Sequence, residues 1–327
     1  MKKILVFSFS FIGDAVLSMA VIQPLRTHFP DAHITFLVGP RAFDLLATDP
    51  QLDTTLVYDN RGEHANWKGR IKLIQTLRHQ KFDLVVNLRD SLTARCIGTE
   101  HWGMARRNSK RHAVTRYLEV LRRHSVDITD AHPRLQLTEE ERDNAQRFLA
   151  KKGIGPEKRV IGIHPGGNWE YKLWDAKNYA HVARLLAQKL NAAILLFAEP
   201  NEPEPQNKDP DMINRSPILV KTGNLRHLAA LISACDLYIG NDTGPMHIAA
   251  AVDTPVVALF GSTNHHRSGP YGEKHTVLQS GIALGCNPCH PGRQPGGCGT
   301  GSCAVIAGIT VKQVLAAVEQ YTQSFDA

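Results

Sequence analysis

The chain has 327 residues, 43 % of them hydrophobic and 21 % charged, which excludes a disordered segment and suggests two domains of about 100–200 residues each. No apolar run reaches the ~18–20 residues that a membrane span needs. The net charge of +7 sits in the first half: residues 1–155 carry 24 Lys and Arg against 17 Asp and Glu, whereas residues 156–327 carry 14 of each.

Residues 3–9 form an apolar run that is too short for a secretory signal and is broken by Gly13-Asp14. They are expected to be a buried first strand of a cytoplasmic protein. Helical spacing follows over 14–29, strand patterns over 32–38 and 54–58, a helix over 68–79 and a strand over 82–88. This alternation predicts a parallel sheet covered by helices. After a helix near 138–151, the polar, breaker-rich segment 152–158 marks a domain boundary. Strands are then expected over 160–164, 193–197, 218–221, 237–240 and 255–260. Helices are expected over 176–190, 225–235, 245–251 and 311–321. The fold class is therefore α/β, with two doubly wound, Rossmann-like domains, residues 1–155 and 156–327, and a cleft between them. In such sheets ligands sit beyond the carboxyl ends of the strands, so the strand-to-helix turns carry the chemistry.

The first such turn, Ser8 to Asp14, has Gly13 to bend the chain and Asp14 near the start of a helix. Asp14 reads equally as a plain helix cap. The turn lacks G-x-G-x-x-G, so it does not point to a dinucleotide. The second turn, His164 to Trp174, has adjacent glycines, Gly166 and Gly167, whose N–H groups can approach a phosphate, with Lys172 close by. The third, Gly240 to His247, is the most informative. Thr243 or Asp242 can cap the helix, Pro245 suits its first turn, and the free N–H groups there make an anion site that His247 can reach. The competing reading is an ordinary capped helix with a core-facing histidine. A fourth turn, Ala198 to Glu202, offers a carboxylate for ribose hydroxyls or simply a solvated acidic loop.

Four of the six cysteines, Cys286, Cys289, Cys298 and Cys303, are spaced C-x2-C-x8-C-x4-C. Four thiolates in this pattern can hold a structural zinc or iron ion, or remain free thiols in an irregular loop. No nucleophile–base motif accompanies them. A second cluster is cationic: Arg89, Arg95, Arg106, Arg107, Lys110, Arg111, Arg116, Arg122 and Arg123 fall within one stretch. Arginine suits phosphate and carboxylate recognition, so this segment either meets an anionic partner or forms a solvated basic surface. With no helix-turn-helix, zinc-finger or aromatic RNA-binding signature, nucleic acid is not the expected partner.

With these turns in place, the chain resembles the ADP-heptose:lipopolysaccharide heptosyltransferases of glycosyltransferase family nine. The resemblance rests on Ile12-Gly13-Asp14-Ala15-Val16-Leu17, Pro24-Leu25-Arg26 and Phe29-Pro30-Asp31-Ala32 at the start. It continues with His164-Pro165-Gly166 and Lys172-Leu173-Trp174, then Asn241-Asp242-Thr243-Gly244-Pro245-Met246-His247, then Phe260-Gly261-Ser262-Thr263. It departs at Asp175, where the family usually has proline. The resemblance implies a GT-B fold and an inverting transfer from a nucleotide sugar, ADP-heptose, to an anionic glycolipid at the cytoplasmic face of the inner membrane. It implies Asp14 as general base and Lys172 as diphosphate ligand. It also implies donor contacts from Gly13, Asp242, Thr243, Gly244 and His247, with Glu202 on the ribose and Glu199 less well placed. The acceptor is expected near Arg89, Arg95, Arg106, Arg107 and Arg111. No protein-bound divalent ion is required. Two other readings fit the architecture: a nucleotide-sugar epimerase, which needs no acceptor, and a non-catalytic protein that retains the donor fold.

Overall fold

The computed structural model describes residues 1–8, 11–97, 99–104, 111–200, 217–282 and 303–322. The chain divides into two compact units, Met1–Gln136 and Leu137–Ala327.

The first unit runs β1 (Lys3–Phe7), α1 (Ile12–Ser18), α2 (Ile22–His28), β2 (His33–Val38), α3 (Pro40–Leu46), β3 (Thr54–Val57), α4 (Trp67–His79), β4 (Leu84–Asn87), α5 (Leu92–Arg95), β5 (Glu100–Gly103) and α6 (Ala113–Arg122). Its sheet has the order β3-β2-β1-β4-β5, with every pairing parallel. The helix expected over 14–29 is broken by a 3₁₀ turn at Met19–Val21. Pro24, in the first turn of α2, has no N–H to bond back to Ala20, and its ring crowds that carbonyl. Gly13, expected at the bend, is instead the second residue of α1.

The second unit runs α7 (Glu139–Lys151), β6 (Val160–His164), α8 (Ala176–Lys189), β7 (Ala193–Ala198), β8 (Ile218–Lys221), α9 (Leu225–Ser233), β9 (Leu237–Asn241), α10 (Gly244–Ala251), β10 (Val256–Leu259), α11 (His265–Ser268), β11 (His275–Leu278), α12 (Ala304–Ala307) and α13 (Val311–Thr322). Its parallel sheet has the order β11-β10-β9-β6-β7-β8. Strands β6, β9 and β10 are buried along their whole length, the continuous apolar pattern of a sheet covered on both faces. One core cluster joins Ile163, Val182, Ile239, Leu259, Val305 and Val314.

The units divide between Gln136 and Leu137, ahead of α7, and the breaker segment 152–158 follows that helix within the second unit. An ion pair fastens α7 to α9. Glu141 opens α7 through a capping box with Thr138 and accepts from Arg226 of α9, Nε at 2.7 Å and Nη2 at 2.5 Å. The Arg226 side chain is only 7 % exposed, and a buried guanidinium needs such a partner. Burial acts to raise the Glu141 pKa, but the hydrogen bonds and charge of Arg226, with the Thr138 N–H, hold it below the ordinary value.

Candidate functional site

In the second sheet the strand order reverses between β6 and β9, so the ligand crevice of this fold lies at their carboxyl ends. His164 of β6 stands beside Gly240 of β9 there. A β-carbon on Gly240 would meet the Tyr238 side chain at 2.9 Å and the His164 carbonyl at 3.1 Å, so this position stays bare to let the two strand ends close up. Both neighbours are buried. Burial holds the Tyr238 phenol well above its ordinary range and pushes the His164 imidazole down to about 4, so that His164 is neutral near pH 7.

Asn241, the last residue of β9, is fully buried and ties the crevice together. Its Oδ1 accepts from the Trp174 N–H at 3.2 Å and the Tyr179 hydroxyl at 2.9 Å. Its Nδ2 donates to the carbonyls of Pro165 at 2.7 Å and Gly166 at 3.3 Å. One amide thus joins the turn after β6, the end of the lysine loop and α8 to the end of β9. Trp174 is pinned in turn: its indole N–H donates to the Ile309 carbonyl at 2.9 Å, and its ring meets Tyr179 edge-on. Asp175, standing where the resembling family has proline, caps α8 by accepting from the Lys177 N–H at 2.8 Å.

This anchoring places Lys172, at the end of a 3₁₀ turn, against the neighbour of Asn241. Lys172 Nζ donates to Asp242 Oδ2 at 2.6 Å and to the Asp242 carbonyl at 3.3 Å. The Thr263 hydroxyl donates to the same Oδ2 at 2.7 Å. The Lys172 side chain is 24 % exposed and that of Asp242 only 6 %, so the ammonium faces outward over a buried carboxylate. Gly167 completes the arrangement, because a β-carbon there would press on Leu173 and Thr243 at 3.0 Å each.

The helix start differs in one respect from expectation. Neither Asp242 nor Thr243 caps α10. Thr243 occupies the N-cap in extended conformation without a side-chain cap bond, and its hydroxyl donates to the Asn241 carbonyl at 3.4 Å. The Asp242 carboxylate is engaged by Lys172 and Thr263. No side chain of the N-cap residue occupies the start of α10, and a helix start of this kind suits an anion. His247 is buried one turn along α10. The structure thus gathers Lys172, Asp242, Thr243 and Gly244 at one place, together with Asn241 and Thr263, which carried no assigned role in the sequence. An asparagine ending a buried strand just before Asp-Thr-Gly was the available signal.

In the first unit the strand order reverses between β1 and β4. Ser8, after β1, is buried and its hydroxyl lies 2.5 Å from that of Ser18 in α1. Asp14 stands in the first turn of α1, partly buried. After β4, the Asn87 side chain bridges to both the N–H and the carbonyl of Ser91 and to His101 Nε2, while Asp90 adopts a left-handed φ of 55°. Arg89 lies over the Tyr58 ring at 5.6 Å, and Arg95 pairs with Asp90 at 2.5 Å. His101 titrates below its ordinary value because it is partly buried and because Arg95 repels its protonated form. Arg111 is exposed just ahead of α6. Arg122 pairs with Glu119, and Arg123 donates to the Gly103 carbonyl at 2.6 Å.

Arg106, Arg107, Glu202, Cys286, Cys289 and Cys298 lie outside the described residues. Glu199 is exposed beyond the end of β7. Cys303 is buried in the core of the second unit at the start of α12. No helix among the described residues is long and apolar enough to cross a membrane.

Residues 70–295 match the profile of Glycosyltransferase family 9 (heptosyltransferase). The chain is 28 % identical over 300 residues to the lipopolysaccharide core heptosyltransferase OpsX of Haemophilus influenzae, covering 85 % of this chain and 84 % of that protein. It superimposes on a family 9 glycosyl transferase of Veillonella parvula with a TM-score of 0.80 at 26 % identity, over 99 % of this chain and 98 % of the other. The fold also matches the E. coli ADP-heptose lps heptosyltransferase II, with a TM-score of 0.75 at 22 % identity over the full length of both chains.

Proposed function

Because the chain belongs to glycosyltransferase family 9, the heptosyltransferases, and has their GT-B fold, we propose that it moves a heptose from ADP-heptose to the inner core of lipopolysaccharide in one inverting step. The observation that supports this reading best is the Lys172 ammonium held on Asp242 beside the uncapped start of α10. A fixed cation beside a helix start, both supported by Asn241, suits the diphosphate of a nucleotide sugar.

In this reading the acceptor hydroxyl oxygen bonds to the anomeric carbon as the bond from that carbon to the diphosphate oxygen breaks. The hydroxyl proton passes to the Asp14 carboxylate and the bonding pair leaves with ADP. The transition state has oxocarbenium character, so an ionised Asp14 also stabilises it electrostatically. Lys172 and the N–H groups at Thr243 and Gly244 meet the charge that builds on the leaving diphosphate. Asp242 orients Lys172, His247 supports the helix start, Gly13 lies beside the donor, and Glu202 takes the ribose hydroxyls. Arg89, Arg95, Arg106, Arg107 and Arg111 meet the phosphate and carboxylate groups of the acceptor. The work is done at the cytoplasmic face of the inner membrane, where such an acceptor is made.

Mass spectrometry of products formed from ADP-heptose, with and without a panel of truncated core acceptors, tests the reading. Transfer gives an acceptor one heptose heavier and free ADP only when acceptor is present. Conversion of the donor to an isomer without acceptor would instead mark an epimerase, and no product in either case would mark a binding protein.

A further inference from the structure

Helix α4 carries a surface that the transfer reaction does not use. Its thirteen residues include Lys68, Arg70, Lys72 and Arg78 and no acidic residue. Leu73 and Leu77 face inward and are buried in the core of the first unit. The opposite stripe is open: Trp67 is 67 % exposed and Ile71, one turn along, 45 %, so a large aromatic and a branched aliphatic side chain share one outer face. The short helix α5 packs alongside α4 and adds Leu92, which at 73 % is more exposed than either. Lys68 Nζ lies 5.7 Å from the Trp67 ring centroid. The acidic groups paired in this region are Glu63, with Lys72, and Asp90, with Arg95. Among the described residues, Arg70 and Arg78 donate to backbone carbonyls, those of His64 and Ala65 and that of Cys96 respectively, which do not cancel their charge.

A single exposed tryptophan needs no explanation. A tryptophan, an isoleucine and a leucine set among cations of one sign on adjoining helices do need one. This pattern fits the boundary of an anionic bilayer, where apolar side chains enter the headgroup region and Lys and Arg pair with phosphate. It does not fit a second copy of the same chain, because apposing two α4 faces would bring like charges together.

We propose that the outer face of α4, with Leu92 of α5, docks the protein on an anionic phospholipid surface, Trp67, Ile71 and Leu92 entering the headgroup layer and Lys68 and Arg70 engaging its phosphates. The proposal rests on the membrane-face location given above and is independent of which sugar is transferred.

The test is co-sedimentation of the full chain with vesicles of phosphatidylglycerol and phosphatidylethanolamine that contain no glycolipid, against vesicles of phosphatidylcholine alone. The wild type binds the anionic vesicles and not the neutral ones, and its affinity falls at least roughly tenfold as ionic strength rises from about 0.05 to about 0.5 M. The pairs Trp67→Ala with Ile71→Ser, and Lys68→Glu with Arg70→Glu, each bind roughly tenfold more weakly or worse. Both keep wild-type ADP affinity and wild-type transfer to a soluble, delipidated core acceptor, which shows that they are folded. On anionic vesicles the tryptophan emission shifts to the blue, a shift that Trp67→Phe removes. Equal binding to both vesicle types, variants that bind as the wild type does, or a concentration-dependent dimer broken by the Trp67 and Ile71 pair would overturn the proposal. Failure of transfer to the soluble acceptor in the wild type would count against the transferase reading and leave this one standing.

Discussion

Lys172 and Asp242, seventy positions apart, meet at 2.6 Å, and the same carboxylate oxygen accepts from Thr263. The ammonium is held at one point over the start of α10 instead of sampling solvent. Removing it with Lys172→Ala is expected to weaken ADP binding by roughly 10–100-fold, the range for losing a charge-assisted contact to phosphate. Lys172→Arg is expected to recover little, because a planar guanidinium does not fit the point contact with Oδ2. Thr263→Val, which leaves Lys172 on Asp242, is expected to cost less. Isothermal titration of ADP into the three variants ranks them.

Asp14→Asn keeps the size of the side chain and removes the base. Turnover is expected to fall by roughly 10²–10⁴-fold with ADP affinity nearly unchanged, since the carboxylate acts on the acceptor hydroxyl. Steady-state rates combined with ADP titration separate the two effects. A near-normal rate would remove Asp14 from the proposed role.

Asn241 makes four hydrogen bonds from a fully buried site. Asn241→Leu leaves the Tyr179 hydroxyl and two loop carbonyls without partners and is expected to destabilise the second unit by about 2–4 kcal/mol. It should weaken ADP binding as well, through the loop that carries Lys172. Tyr179→Phe removes one bond of the set and is expected to cost about 1 kcal/mol. Urea unfolding of both variants, read beside ADP titration, measures the two consequences separately.

The Glu141–Arg226 pair fastens α7 to the second unit. Glu141→Ala takes the carboxylate away from a nearly buried guanidinium and is expected to cost about 3 kcal/mol. The Glu141 pKa is lowered in the folded state from an ordinary 4.5. Its contribution is therefore complete above that value and is lost as pH falls through the lower, folded-state pKa. Melting temperature followed from about pH 6 to about pH 3 should decline less steeply in Glu141→Gln than in the wild type.

His164 gives a second, higher pH window. Burial pushes its pKa down to about 4 from 6.5, so between those values the unfolded chain takes up a proton that the folded chain refuses. Stability is expected to fall as pH drops from 6.5 toward 4. His164→Leu should flatten this part of the profile, as judged by urea midpoints at about pH 7.5, 6 and 5.

The alternation of apolar runs made both parallel sheets legible, because a strand covered on both faces is written as an unbroken hydrophobic stretch. The turns at 164–174 and 240–247 were legible because glycine, lysine and a Pro-marked helix start are local signals. What stayed hidden depends on partners far apart in the chain. Asn241 draws its meaning from residues 62 to 76 positions away, and nothing beside Glu141 announces that its partner is Arg226. The four-residue edge strands β5 and β11 are too short to show a period. Pro24 was visible, but its effect on the first helix needed the geometry of the turn before it.

The central claim is that the nucleotide diphosphate lies where β6 and β9 end. Hydrogen–deuterium exchange of the full chain, with and without ADP, tests it most directly. Slower exchange is predicted for the amides of residues 166–172 and 243–247, with the rest of the second sheet unchanged. Protection confined to other segments, with these amides exchanging as fast as in the free protein, would contradict the account.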